Sequence, residues 1–163
     1  TMEYAITFAE TGHLVLCTLH ANNANQALDR ILHFFPEDAK EQVLLDLSFN
    51  MRAIVAQQLV PSADQTRRWA AVEMLLATPL VQERIRNGEV TELKKIMAES
   101  NHHGMITFDQ CLFGMYKEGK ITYDEAIRHA DSANEVRLAV KLSEGGDADS
   151  LSENLRDVEV LDL

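Results

Sequence analysis

The feature that most constrains the fold is an uninterrupted apolar run at residues 13–20, with the sequence His-Leu-Val-Leu-Cys-Thr-Leu-His. A strand with one face in solvent alternates apolar and polar residues, whereas a strand buried on both faces is apolar throughout. The run therefore predicts a central parallel strand and hence an α/β fold. The preceding residues have helical spacing at Met2, Ala5, Ile6 and Ala9, so this strand is expected to follow a helix.

Two helices are predicted directly after this run. Asn22 or Asn23 can cap the first helix, because its side-chain oxygen can accept a hydrogen bond from an amide of the first turn. The buried side of this helix is predicted to carry Ala27, Ile31 and Phe34. Pro36 opens a longer second helix, with acidic residues in its positively polarised first turn. The apolar stripe of the second helix consists of Val43, Leu47, Met51 and Ile54.

A β-hairpin is predicted next. Residues 55–60 and 69–76 have strand composition, and the proline and polar residues at 61–66 are typical of the loop that joins two hairpin strands. Residues 1–77 are thus predicted to form one α/β unit with three strands. Because this is a small number for a sheet with a fully buried strand, further strands are expected upstream of residue 1.

Residues 78–142 are predicted to be entirely helical. Thr78 and Pro79 begin a helix that ends at Gly88, and residues 90–99 form the next one. Three capping boxes follow, in which a side-chain oxygen and an acid or amide three residues later satisfy the amides at a helix start. They are Thr107 with Gln110, Thr122 with Glu125, and Ser132 with Glu135. Residues 143–163, which contain two adjacent glycines and several acids, are predicted to be a flexible acidic tail.

The charge of the chain argues against nucleic acid as a partner. Twenty-six acidic and 15 basic residues give a formal net charge of -11, and residues 143–163 carry seven of the acids and one arginine. Such a field repels nucleic acid and anionic lipid. Cys17 and Cys111 have no disulfide-framework spacing, which favours a reducing compartment and a cytoplasmic location. We find neither a signal peptide nor an apolar stretch approaching about 18 residues in the sequence.

Three familiar kinds of chemical site are not supported. Residues 114–121 resemble a phosphate-binding loop, but Ile121 stands where the hydroxyl for magnesium is needed and no strand precedes the stretch. Cys17 and His20, with His102 and His103, have zinc-like spacing, but positions 17 and 20 of a strand point to opposite faces. Neither cysteine lies in a setting that would lower its pKa for nucleophilic attack. We therefore predict no metal ligands and no catalytic residues in this chain.

His20 is the strongest candidate for ligand contact. It closes the predicted buried strand at its C-terminal end, with Thr18 on the same face, and ligands of open α/β sheets bind at that edge. A neutral imidazole there could donate a hydrogen bond to a phosphate oxygen. The alternative is a histidine that only caps the following turn.

The sequence from Glu10 to Asn23 resembles the histidine box of the secretion ATPases, the hexameric motors of type II secretion and type IV pili. The similarity to the pilus-retraction motors, the PilT/PilU family, extends over residues 28–31, 35–36, 52–59, 73–79, 104–110 and 119–126. Residues 18–27 and 129–134 are more similar to the PilU branch than to the PilT branch. The resemblance covers about residues 1–142.

This resemblance implies a fold and a function. The fold would be part of a RecA-like P-loop ATPase core at 1–77, followed by an all-α C-terminal extension at 78–142, with the P-loop and the catalytic glutamate upstream of residue 1. By resemblance, His20 would contact or sense the terminal phosphate, His13 and Thr18 would support it, and Gln57 would support the nucleotide site. ATP and magnesium would be the cofactors of the intact protein, and this chain alone would hold neither.

The same resemblance implies partners. The intact protein would be a cytoplasmic hexamer, peripheral at the inner-membrane pilus machine, that works with a PilT-like motor and the pilus platform protein. PilT-type motors carry an Ala-Ile-Arg-Asn-Leu-Ile-Arg surface helix after the Thr-Pro pair, and here the final Ile85-Arg86 matches while the earlier Arg and Asn do not, with Arg84 beside them. These three residues are candidates for partner contact, although an ordinary amphipathic helix would also explain them.

Two other functions remain open from the sequence. The first is an assembly motor of type II secretion or pilus extension, but those motors usually carry a four-cysteine metal loop in this half, and this chain has two cysteines in all. The second is a non-catalytic adaptor whose helices bind a protein partner. A Gly-rich loop ending in Lys-Ser or Lys-Thr, upstream in the same reading frame, would favour the motor.

Overall fold

The computed structural model describes residues 1–144, apart from the side chain of His102. The acidic segment 145–163, which makes up nearly all of the predicted tail, lies outside the described residues. Residues 143 and 144, which were assigned to that tail, are instead the last residues of a helix.

The described chain contains eight α-helices, two strands and three short 3₁₀ turns. The helices are α1 (Met2–Glu10), α2 (Ala24–Leu32), α3 (Lys40–Asn50), α4 (Pro79–Arg86), α5 (Leu93–Glu99), α6 (Phe108–Lys117), α7 (Tyr123–His129) and α8 (Ala133–Glu144). The strands are β1 (Ala53–Pro61) and β2 (Arg68–Leu76). The 3₁₀ turns are Glu37–Ala39, Val90–Glu92 and Asn101–His103. None of the helices within residues 1–144 is both long and apolar enough to cross a membrane.

The predicted hairpin is confirmed. β1 and β2 pair antiparallel over their whole lengths, from Ala53 opposite Leu76 to Pro61 opposite Arg68. The loop between them is closed by a hydrogen bond of 2.9 Å from the Ser62 amide to the Arg67 carbonyl. The far edge of β2 makes one further bridge, from Met74 to Ile106 just before α6. This bridge connects the hairpin to the helices that follow it.

The prediction of a buried strand at residues 13–20 is wrong. These residues, which we call the histidine segment, are irregular, and the side chains of Leu14 and Leu16 are 83% and 88% exposed. A strand buried on both faces needs paired neighbours at its edges. Among residues 1–144 the sheet consists of β1 and β2 only, and neither pairs with the histidine segment. The apolar composition of the segment therefore has no complementary strands to bury it here.

The helix starts largely follow the predicted capping chemistry. Asn23 caps α2 by accepting from the Gln26 amide, and Thr78 caps α4. Only Thr107 forms a complete capping box with its partner glutamine. Thr122 and Ser132 accept the expected amide hydrogen bonds, but neither forms a complete box, and the Ser132 amide donates to Asp109 instead of to Glu135.

Two details of the predicted helices need correction. The helix expected from Pro36 begins as the 3₁₀ turn Glu37–Ala39, and α3 starts at Lys40 and ends at Asn50. Ile54, which was assigned to its apolar stripe, belongs to β1 instead. Phe34 follows the end of α2 and is 56% exposed, so it does not extend the buried side of that helix.

The buried side chains form two hydrophobic clusters. The first joins α2, α3, α4 and α5 to β2, with Leu28, Leu75, Ile85 and Leu93 fully buried at its centre. The second joins α6, α7 and α8 to the hairpin around Phe108, Leu112 and Val60. β2 contributes to both, through Leu75 to the first cluster and Ala71 to the second. The domain boundary between residues 77 and 78 stays a prediction.

The complete capping box gives a testable difference between two helices. Thr107 is buried. The Gln110 amide donates to the Thr107 hydroxyl at 3.3 Å, and the Thr107 amide donates to the Gln110 side-chain oxygen at 3.2 Å. We expect Thr107→Ala to lower the free energy of unfolding by about 1–2 kcal/mol, at the upper end for a cap, because water cannot easily replace the lost acceptor. Urea denaturation monitored by circular dichroism measures the change.

The matched control for this cap is Thr122→Ala on α7. Thr122 is exposed and makes only the single cap bond to the Glu125 amide, so about 0.5–1 kcal/mol is expected. Equal losses for the two variants would contradict a special contribution from the buried box.

Candidate functional site

An open groove of about 880 Å³ lies between α1, the histidine segment, the end of α3 and the start of β1. Several side chains along it carry hydrogen-bonding groups. They are His13, Thr18, Asn23, Asp46, Asn50, Arg52 and Gln57. The rest of the lining is mostly apolar, with side chains such as Ile6 and Val55. A groove with apolar walls and a few polar groups is the common form of a small-molecule site.

The three supporting residues predicted from the sequence, His13, Thr18 and Gln57, all line this groove. Each of them is exposed. Nδ1 of His13 lies 2.9 Å from the hydroxyl oxygen of Thr11, and its ring packs edge-on against Phe8 with centroids 5.7 Å apart. These contacts orient the imidazole. The histidine segment and β1 thus present donors to one open space, although they are not hydrogen-bonded to each other.

His20 lies elsewhere in this arrangement. It is exposed at the end of the histidine segment, three residues before the α2 cap Asn23, and it is not among the residues that line the groove. The structure therefore brings three of the four predicted nucleotide-site residues together and leaves His20 outside. The ring is not enclosed by aliphatic neighbours, so it is accessible to a ligand.

The candidate partner-binding residues on α4 do not share one surface. Ile85 is completely buried in the first hydrophobic cluster, so the prediction that it contacts a partner is wrong for this structure. The Arg84 guanidinium is half-buried and forms an ion pair with Glu89, which raises the pKa of Arg84 above its usual value. Arg86 is exposed. A partner contact by this helix would therefore depend on Arg86 and on exposed neighbours such as Leu80.

The sites that sequence reasoning set aside have ordinary structures. Residues 114–121 form the C-terminal part of α6 and the turn after it, where Gly119 has a left-handed φ of +68° and Ile121 is buried. Cys17 is exposed in the histidine segment. Within the described part of the chain, no group of three or more His, Cys, Asp or Glu side chains is placed to hold a metal ion.

Sequence reasoning missed a buried carboxylate, Glu73 on β2, which is 3% exposed. One of its oxygens accepts from the Ala24 amide at 2.8 Å, and the other accepts from the Phe108 amide at 3.4 Å. Burial raises the pKa of Glu73 above its usual value, and the hydrogen bond from Ala24 acts in the opposite direction. The strand pattern held a signal for this residue, because it lies between the buried positions Ala71 and Leu75 on one face of β2.

A second polar group, beside Glu73, was also missed. The Asp109 carboxylate is buried and accepts from the amides of Asp131 and Ser132 at 2.8 and 3.2 Å. The Lys94 ammonium lies 3.0 Å from Asp109 and 3.3 Å from Asp131. The Asn23 side chain donates to Asp131 at 3.3 Å. These contacts connect the α2 cap, α5, α6 and the loop before α8, which are far apart in the sequence.

Comparison with known proteins agrees with the fold. The sequence profile of the family described as "Type II/IV secretion system protein" matches residues 1–132. The chain belongs to this family. Across 152 residues it is 60% identical to the type IV pilus ATPase PilU of Pseudomonas aeruginosa, a match that covers 93% of this chain and 40% of PilU. The resemblance to pilus motors inferred from the sequence is confirmed.

The chain is also similar to proteins described as PilT. The type IV pilus retraction ATPase PilT of Pseudomonas aeruginosa is 34% identical over 126 residues, which are 77% of this chain and 36% of PilT. A crystal structure of the pilus retraction motor PilT with bound ADP superimposes with a TM-score of 0.75 at 34% identity, covering 84% of this chain and 38% of that one. The chain thus spans 40% or less of the length of these relatives. The predicted fold class, part of an α/β ATPase core with helices after it, is confirmed.

Proposed function

We propose that this chain is the C-terminal portion of a PilU-like motor that uses ATP hydrolysis to retract type IV pili and so drives twitching motility. The observation that carries this proposal is the 60% identity to the pilus ATPase PilU over 93% of the chain. The similarity to PilT, whose structure contains ADP, supports nucleotide binding by the same fold. ATP and magnesium are the cofactors we infer for the intact protein.

The groove supports one side of a nucleotide site. His13, Thr18 and Gln57 offer hydrogen-bond donors to phosphate oxygens, and Arg52 on the same groove adds a positive charge. In the described residues we see no Gly-rich turn between a strand and a helix, the element that cradles phosphates through its backbone amides. The residues present therefore fit a sensing role rather than the whole binding site. Bound ATP supplies the phosphoanhydride bond, and this chain orients the terminal phosphate.

His20 is the residue we infer to contact that phosphate. Its ring is exposed at the end of the irregular histidine segment, and its chain neighbours Leu19 and Ala21 line the groove. A neutral imidazole donates one N–H to an oxygen on which negative charge grows during phosphoryl transfer. The same contact distinguishes ATP from ADP, since only ATP has the terminal phosphate.

We expect His20→Ala in the intact protein to lower kcat for ATP hydrolysis by about 100-fold, the usual loss when one charge-stabilising donor is removed. Binding of ADP should change little. Steady-state phosphate release and fluorescent-nucleotide titration measure the two effects. The chain of residues 1–163 alone is expected to show no turnover above a blank without enzyme.

The control for His20 is His33→Ala, because His33 is also exposed but lies at the C-terminal end of α2, with Nδ1 2.6 Å from the Asp29 carbonyl. This variant should keep the wild-type rate. An unchanged kcat in His20→Ala would remove the sensing role, and turnover by the 1–163 chain that His20→Ala abolishes would show that the site is complete without upstream residues.

The assembly we propose is a hexamer at the cytoplasmic side of the inner membrane, where it acts with a PilT-like motor and the pilus platform protein. Arg86, which is exposed on α4, is the predicted residue that supports a contact with one of these partners. Subunit counting by light scattering, with and without the PilT-like motor, tests the ring. An intact protein that stays monomeric with nucleotide at micromolar concentration would contradict this assembly.

A further inference from the structure

Glu73 joins two helix starts that belong to different hydrophobic clusters. Ala24 and Phe108 are the first residues of α2 and α6, and the amide of a first helical residue has no partner inside its own helix. Both amides donate to the same buried carboxylate, one to each oxygen. α2 packs in the first cluster and α6 in the second. A displacement of one helix start therefore changes the hydrogen bond that holds the other.

The α2 start lies close in sequence to the C-terminal end of the histidine segment. Only Ala21, Asn22 and Asn23 separate His20 from Ala24. Asn23 is held in turn by Asp131, which contacts Lys94 and, through it, Asp109 on α6. The C-terminal end of the histidine segment is thus followed, three residues later, by an anchored helix start. Movement of the segment toward a ligand would first displace Asn23 and Ala24.

We propose that Glu73 is a positioning residue that couples the histidine segment to the N-terminal turn of α6, so that the two respond together when either one moves. The role of the histidine segment in this coupling rests on the proposed function, whereas the coupling of the two helix starts does not. Glu73 is buried and does not line the groove, so it acts through Ala24 and Phe108.

Ionisation of Glu73 provides a way to observe the coupling. The charged groups that face the carboxylate are Asp131, which raises its pKa, and Lys94 on α5, which lowers it. Burial has the largest effect and also raises the pKa. Because the folded pKa lies above the unfolded one, ionisation weakens the folded state as pH rises between the two values. Both amides donate to this carboxylate, so both should sense its protonation at one common midpoint.

The first experiment is a pH titration of the ¹⁵N-labelled 1–163 chain, followed by the amide resonances of Ala24 and Phe108. We expect both to shift with one shared midpoint above 4.5, the ordinary value for a glutamate. Glu73→Gln should abolish both shifts. The control Glu99→Gln, an exposed glutamate on α5, should leave both unchanged. Different midpoints, or titration that persists in Glu73→Gln, would overturn the proposal.

A second variant keeps this test decisive if Glu73→Gln does not fold. Asp131→Asn removes the negative charge that raises the pKa of Glu73. We expect it to lower both midpoints by the same amount. A shift of one midpoint without the other would show that the two amides respond to different groups.

The nucleotide experiment uses hydrogen exchange on the intact protein with magnesium and a non-hydrolysable ATP analogue. In wild type, we expect exchange to slow at least twofold in residues 13–23 and in residues 105–112. In Glu73→Gln only the first region should respond. A response of both regions in Glu73→Gln would overturn the coupling and leave the proposed function intact. If neither region of the wild type responds, the proposed function fails, and the pH titration decides the coupling by itself.

Discussion

Replacing Phe108 by alanine is expected to lower the free energy of unfolding by about 3–5 kcal/mol. Phe108 is 1% exposed and is the largest fully buried side chain among the described residues. It belongs to the second hydrophobic cluster, where its ring packs with side chains of α6, α7, α8 and the hairpin. Truncation removes the apolar area of the ring and leaves a cavity that the neighbouring helices cannot fill completely. The Phe108 amide that donates to Glu73 is retained.

Urea unfolding of the 1–163 chain, followed by Trp69 fluorescence and by helix circular dichroism, measures this loss. The matched control is Phe34→Ala, which makes the same chemical change at a side chain that is 56% exposed. The control should change the free energy of unfolding by less than about 1 kcal/mol. If the two variants lose equal stability, the second cluster is not packed as described.

Replacing Asp109 by alanine is expected to lower the free energy of unfolding by about 3 kcal/mol. The change removes the acceptor of two amides before α8 and leaves Lys94 near Asp131 alone. Loss of a buried partner in a hydrogen-bonded ion pair costs about 3–5 kcal/mol. We take the lower end because the Lys94 side chain is 30% exposed and water can solvate it in part.

Two comparisons make the Asp109 result specific. Asp29→Ala changes an exposed aspartate on α2 and should cost less than about 0.5 kcal/mol. The double variant Lys94→Ala with Asp109→Ala should lose less stability than the two single variants together, because the first change already removes the ion pair. Strict additivity would mean that Lys94 and Asp109 do not interact in solution, whatever their separation in the structure.

The elements that the sequence predicted correctly are those fixed by local chemistry. The hairpin follows from two strand-forming runs around a polar loop, and α2 and α4 follow from the caps at Asn23 and Thr78. The prediction of a strand at residues 13–20 was wrong because a strand needs other strands to pair with. A run of apolar residues does not indicate whether such strands are present. The partial capping boxes at Thr122 and Ser132 failed for a smaller reason. The glutamate side chain has alternatives, and Glu125 contacts Arg128 and His129 instead.

The candidate site was predictable only in part. The resemblance to pilus motors led to His13, Thr18 and Gln57, and the structure brings them to one groove. Their distance from His20 could not be read from the sequence, because it depends on the path of an unpaired segment. Glu73 could have been found from the two-residue period of β2. The pairing of Lys94 with Asp109 and Asp131 could not, since it joins residues from three separate parts of the helical region.

The contribution of β2 to both hydrophobic clusters has a mechanical consequence. Ala71 and Leu75 lie four residues apart on one face of the strand, with Glu73 between them, so one strand packs into both hydrophobic clusters. A displacement of this strand would therefore disturb the packing of both clusters at once.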